Sequence, residues 1–145
     1  MTPRLERPLD TLAATRALAR ELLDRLPRGA LLVLSGPLGA GKTTLVQQLA
    51  LELGSAASVS SPTYTLIHEY PTPAGLLVHI DAYRLPSAEA LLELGLEEYL
   101  ERARLVVVEW GEALLAHFPE AAVVRLALDA GRRSARVSYG TREGA

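Results

Sequence analysis

The sequence has no cysteine and no asparagine, and only one lysine, one tryptophan, one phenylalanine and one methionine among 145 residues. Without cysteine there are no disulfide bridges and no thiolate-ligated zinc, which fits a cytoplasmic protein. No apolar run approaches the roughly 20 residues of a membrane-spanning helix. The opening MTPRLERPLD has no continuous apolar stretch of the kind a secretory signal carries. The expectation is therefore a cytoplasmic chain with no membrane segment. A net charge of −2 gives no basic footprint for holding nucleic acid unaided. Repeats, low-complexity tracts and glycine–serine linkers are also missing, so the chain reads as one domain over residues 1–145.

What is present is apolar content, 49% of the chain, arranged in short runs. DTLAATRALARELLDRL (Asp10 to Leu26) predicts an amphipathic helix capped by Asp10 or Thr11 and ended by Pro27 to Gly29. ALLVLS (Ala30 to Ser35) is short and aliphatic throughout, as in a strand covered on both faces. TTLVQQLALEL (Thr43 to Leu53) predicts a helix with Gly54 as its stop. TYTLIHEY (Thr63 to Tyr70) and LLVHI (Leu76 to Ile80), joined by PTPAG, predict a hairpin. Ser87 to Ala103 reads as helix broken near Gly95, LVVVEW (Leu105 to Trp110) as a buried strand, and Glu112 to His117 as a short helix. AVVRLAL and SARVSYG, joined by DAGRR, predict a closing hairpin. The fold class expected is α/β, a mixed and mostly parallel sheet flanked by helices with that hairpin at the C-terminus.

One motif carries chemistry directly. GPLGAGKT (Gly36 to Thr43) fits G-x-x-x-x-G-K-[ST] in full and stands between a buried strand and a helix. Its glycines let backbone N–H groups close around phosphate oxygens, and the helix N-terminus adds its positive dipole end. Lys42 is placed to reach the β- and γ-phosphates and Thr43 to ligate Mg²⁺. It is also the only lysine in a chain with fourteen arginines, at a position where a guanidinium would not fit. Guanine-specific recognition needs an Asn-Lys-x-Asp motif that a chain without asparagine cannot have, so ATP is the expected nucleotide.

Nucleotide hydrolysis also needs an acid at the end of a neighbouring strand. Two strands end in one: LLVHI at Asp81 and LVVV at Glu109. Trp110, beside Glu109, is placed either in the core or over the nucleotide pocket. His79 reads as a core histidine, and Arg84 as a surface partner of an acid. Ser61, Thr63 and Thr65 lie in a polar segment of the kind that forms a switch or a plain connecting loop.

Taken in order, six segments resemble the TsaE (YjeE) family, the bacterial P-loop ATPases of the tRNA threonylcarbamoyladenosine pathway. They are Gly36 to Thr44, SPTYTL (Ser61 to Leu66), HIDAYRL (His79 to Leu85), Gly95 to Tyr99, VEW (Val108 to Trp110) and GRRSARV (Gly131 to Val137). The resemblance implies that Lys42 and the loop Gly36, Leu38, Gly39, Ala40, Gly41, Thr43 and Thr44 hold ATP phosphates. It implies Thr43 and Glu109 at Mg²⁺, and Asp81 as the acid for hydrolysis, acting through a metal-bound water. Lys42, Asp81 and Glu109 are thus the catalytic candidates. Thr63 resembles the family's switch threonine. Thr11 and the Arg132/Arg133 pair correspond to the base region, with Arg133 counted to the site. The implied function is an accessory ATPase, slow alone, acting with TsaD and TsaB-like partners that supply most of the tRNA contact. The alternative is a small-molecule P-loop kinase, whose only candidate lid, Leu85 to Arg104, is acidic and leucine-rich. The helix LLELGLEEYL (Leu91 to Leu100) is a candidate contact surface.

Overall fold

Strands covered on both faces need side chains that avoid water in both directions, and the aliphatic runs of this chain meet that demand at the centre of one sheet. The computed structural model describes residues 6–55, 67–83, 85 and 87–140. Among them the strands are β1 (Glu6–Pro8), β2 (Ala30–Ser35), β3 (Ile67–Thr72), β4 (Gly75–Asp81), β5 (Ala103–Glu109), β6 (Ala122–Asp129) and β7 (Arg132–Ser138). They form a seven-stranded sheet in the order β1-β7-β6-β2-β5-β4-β3. The four central strands run parallel. Both flanks are antiparallel, β3 on β4 at one side and β7 and β1 beyond β6 at the other. The sheet is therefore mixed, with its parallel part confined to the centre.

Helices α1 (Leu12–Arg25) and α2 (Lys42–Glu52) cover one face. Leu18, Leu22, Leu45 and Leu49 pack there on Leu32, Leu34, Leu77, Leu105 and Val107. On the other face, α3 (Ala88–Glu93), α4 (Leu96–Arg102) and the 3₁₀ turn Glu112–Ala116 place Leu91, Leu96 and Leu114 on Val33, Val78, Ile80, Val106 and Val108. Each fully buried leucine of these layers stabilises the fold by about 1.5–3 kcal/mol.

Local chemistry sets the boundaries. The Thr11 hydroxyl accepts the Ala14 N–H at 3.1 Å, so of the two candidate caps Thr11 begins α1. Asp10 instead accepts the Arg133 N–H at 2.9 Å, joining β7 to the start of the helix. The segment 91–100 is not one exposed helix. Gly95, at φ +94°, divides it, and Leu91 and Leu96 are core residues, leaving only its glutamates at the surface. The closing hairpin is tighter than DAGRR implies. Only Ala130 and Gly131 lie outside its strands, both at positive φ (51° and 79°), as a two-residue turn requires. β1 had no counterpart in the sequence reading. The early part of the Thr63–Tyr70 strand, Arg84, and the segment holding Ser61, Thr63 and Thr65 lie outside the described residues.

Candidate active site

Every described element that carries a candidate side chain delivers it to the C-terminal end of the parallel strands, on the α2 face. β2 ends at Ser35, and the chain leaves it at Gly36, where an added Cβ would lie 2.8 Å from the Leu126 carbonyl oxygen of β6. Only glycine fits so close a passage. The loop closes on itself through Ala40 N–H to the Pro37 carbonyl at 3.1 Å, and the buried Ala40 side chain pins it to the core. Gly41, at φ +107°, turns the backbone directly into α2 and provides no side-chain cap. The first N–H groups of this eleven-residue helix therefore face the loop without a capping side chain, the arrangement that binds anions.

Lys42 extends into the cleft. Its ammonium lies 3.6 Å from Glu109 Oε1 and 4.8 Å from the centre of the Trp110 ring. Asp81 and Glu109 are register partners at the ends of β4 and β5. Asp81 Oδ1 accepts the Tyr83 N–H at 3.0 Å, in the same chain turn that ends β4. A cleft of about 570 Å³ brings together Leu38, Gly39, Gly41, Lys42, Thr43 and Thr44 with Asp81, Tyr83, Glu109, Trp110 and Arg133. Gly36 and Ala40 shape the loop from behind rather than line this cleft.

Next to it lies a smaller cavity of about 160 Å³, walled by Asp10, Thr11, Leu12 and Thr15 and sharing Gly41, Thr44 and Arg133 with the cleft. Thr11 thus belongs to the neighbouring cavity. The Arg132/Arg133 pair separates cleanly. Arg133 donates its Nε–H to the Gly39 carbonyl at 3.0 Å, while Arg132 sits on the opposite face of β7, opposite Asp129. Thr63 lies outside the described residues, so nothing places it.

Two features escape a linear reading, Tyr83 and the His79 partner, and one more, Trp110, is left by it between core and pocket. His79 is fully buried, and its Nε2–H donates to Glu109 Oε2 at 2.6 Å. It is a core histidine, as its position in a strand implies, but its partner is the candidate acid. Its Nδ1 has no partner among the described residues. Burial would raise the Glu109 pKa. The hydrogen bond from His79, then the charges of His79 and Lys42, outweigh burial and hold it below its ordinary value. Second, Trp110 is 42% exposed, so it is not a core residue. It stands at φ +63°, and the next residue, Gly111, passes so close to β5 that an added Cβ would meet Val108 Cγ1 at 2.7 Å. A bulky side chain in that region is strained by about 1–3 kcal/mol. Third, Tyr83 packs edge-on against Trp110 with ring centres 5.4 Å apart, forming the outer wall. Its Y followed Asp81 in the HIDAYRL motif, the one signal available for it.

The oxygen donors here, the Thr43 hydroxyl and the two carboxylates, match the preference of Mg²⁺. Among the described residues no three His, Asp or Glu side chains converge as a metal cage. The set therefore fits an ion that takes most of its ligands from phosphates and water.

The model of a family described as "Threonylcarbamoyl adenosine biosynthesis protein TsaE" matches residues 9–137. The Haemophilus influenzae tRNA threonylcarbamoyladenosine biosynthesis protein TsaE is 38% identical over 91 residues, covering 63% of this chain and 58% of the relative. The protein of that name from Streptomyces coelicolor is 41% identical over 108 residues, 72% of each. The crystal structure of Bacillus subtilis YdiB superposes with a TM-score of 0.73 at 28% identity, covering 98% of this chain and 90% of that one.

Proposed function

Since this chain belongs to the TsaE family, we propose that it binds and hydrolyses ATP as an accessory subunit for threonylcarbamoyl modification of tRNA adenosine. The observation that carries the ATPase part is one juxtaposition. An uncapped helix N-terminus, a glycine loop and a lone lysine face two strand-end carboxylates across a single cleft.

In this reading the loop N–H groups and Lys42 bind the triphosphate, and Lys42 exchanges its contact with Glu109 for phosphate oxygens. That exchange frees Glu109 Oε1. Thr43 and Glu109, with Asp81 nearby, would hold Mg²⁺, which when bound neutralises phosphate charge. Asp81 keeps one carboxylate oxygen clear of the Tyr83 N–H and accepts the proton of an attacking water. Trp110 and Tyr83 shield the phosphates, while Thr11 and Arg133 bound the smaller cavity that would take the base. The burial of Glu109 is offset by its contacts with His79 and Lys42, which favour the anionic form that a metal ligand requires. The partners of the assembly are TsaD and TsaB-like proteins, and they supply most of the tRNA surface.

The test is ATP hydrolysis by the purified protein with Mg²⁺, alone and with a TsaB–TsaD complex. Slow turnover that rises with the complex and collapses in Lys42→Ala is the expected result. Turnover indifferent to the complex removes the accessory role, and turnover that survives Lys42→Ala removes the site.

A further inference from the structure

β6 and β7 present two faces. Val124, Leu126, Ala135 and Val137 point to the layer of α1 and α2. The alternate residues point the other way, past the edge of the layer formed by α3, α4 and the 3₁₀ turn, which reaches only as far as Val123. There Arg125 and Arg136 stand directly opposite each other across the hairpin, with Arg132 on the same face, and all three are exposed. None of the three makes a hydrogen bond or ion pair among the described residues. The other described arginines all have partners, from the Arg7–Glu21 pair to Arg133 on the Gly39 carbonyl.

Like charges directly opposite across a strand pair destabilise it. This hairpin bears that cost at Arg125, whose other register partner is the neutral Ser35, while Arg136 has Glu6 of β1 on its other side. The face is also placed to matter. Arg125 is the register partner of Ser35, the residue before the phosphate loop, so whatever lies on this face adjoins the back of the loop.

We infer that this open hairpin face is a docking surface for a carboxylate-rich region of a partner protein. The inference rests on the accessory-subunit reading above and adds where the partner sits. Charge complementarity favours protein over RNA here. Glu6 and Asp129, the register partners of Arg136 and Arg132, intersperse acids among the arginines on the same face. That suits a protein surface where carboxylates stand among other groups better than a uniformly anionic phosphate backbone. The face also carries no aromatic ring on which a base could stack.

Arg136→Glu tests this without risk to folding. It turns the like pair with Arg125 into an opposite one and the opposite pair with Glu6 of β1 into a like one. The melting temperature should therefore stay within roughly 2 °C of the unmodified protein. Basal ATP hydrolysis should stay unchanged, because no residue of the cleft is touched. Affinity for a TsaB–TsaD complex, measured by titration calorimetry, should nevertheless fall by about tenfold. Arg125→Glu combined with Arg136→Glu should weaken it further, and added salt should weaken the unmodified complex. If the unmodified protein binds the complex and Arg136→Glu binds it equally well, this surface is wrong and the accessory reading stands. If the unmodified protein does not bind the complex at all, both fail. Binding of isolated tRNA that Arg136→Glu abolishes would assign the face to RNA instead. Self-association that Arg136→Glu abolishes would assign it to a second copy, whose exposed Glu97 and Glu98 on α4 offer the opposing charge.

Discussion

At Glu109 burial and charge pull in opposite directions. The residue is 4% exposed, yet its carboxylate remains ionised because His79 donates to one oxygen and Lys42 lies beside the other. Removing a partner from such a group leaves a buried charge exposed to its full desolvation penalty, about 3–5 kcal/mol. His79→Ala should therefore lower the melting temperature sharply. At a temperature where it is still folded, it should reduce turnover more than it weakens nucleotide binding, because the phosphate loop is untouched. His79→Gln keeps a donor at nearly the same reach and should recover part of both losses. Full turnover in folded His79→Ala would refute the positioning role. The phosphate loop itself was legible in the sequence because its eight residues are contiguous and each has one task. The His79–Glu109 pair was not, since it joins residues thirty apart on two strands and only the β4–β5 register brings them together. Trp110 stood on the border. Its neighbour pointed to the cleft, but its positive φ and its 42% exposure are properties of the folded chain turn that no residue pattern announces.

Among the elements, the flank of β1, β7 and α1 adds a polar network to its apolar packing. Arg7 donates both Nη groups to Glu21 at 2.8 and 2.6 Å, and the Tyr139 hydroxyl donates to the same carboxylate at 2.6 Å. The Arg7 hydrogen bond chiefly lowers the Glu21 pKa, and burial followed by the Glu21 bond raises that of Tyr139. The sign follows from proton counting. Glu21 and Glu109 bind protons less readily when folded, so their contribution is complete above about pH 4.5 and is lost as pH falls through their lower folded values. Tyr139 has the opposite sign, contributing below about pH 10 and losing its contribution only above that. Urea unfolding across pH should show a plateau near neutrality with losses at both ends. Tyr139→Phe should lower stability by about 1 kcal/mol at neutral pH and remove part of the alkaline loss. Thr11→Ala, which removes the α1 cap, should cost a similar ~1 kcal/mol in the same assay. The central strands were legible element by element because an aliphatic run buried on both faces has no other stable place. β1 was not. Three residues, ERP, with two charges and a proline show no alternation, and their strand state comes from the edge that β7 offers them. The break at Gly95 was visible, but the burial of Leu91 and Leu96 was masked by the glutamates around them.

For the molecule as a whole, the sheet separates two responsibilities. One face and one end of it hold the cleft, while the second layer and the opposite sheet end carry none of the candidate side chains among the described residues. A ligand that binds only the folded state should therefore stabilise the entire domain through a few residues of one edge. At a hundredfold excess over its dissociation constant a nucleotide adds about 2.7 kcal/mol, which for a domain of this size corresponds to a rise of roughly 8 °C in melting temperature. The rise should need ATP and Mg²⁺ together for its full extent, because Lys42 alone cannot balance a triphosphate. It should vanish in Lys42→Ala, whose melting temperature without nucleotide should itself fall, though less than that of His79→Ala, since Lys42 lies 3.6 Å from Glu109 where His79 makes a 2.6 Å hydrogen bond. Arg136→Glu should retain the whole rise, because Arg136 lies on the far face of the sheet from α2. Melting curves of the three proteins with and without Mg–ATP check these expectations in one experiment. A nucleotide-dependent rise that survives in Lys42→Ala would mean that the ligand binds elsewhere, and the cleft would lose its claim to the phosphates.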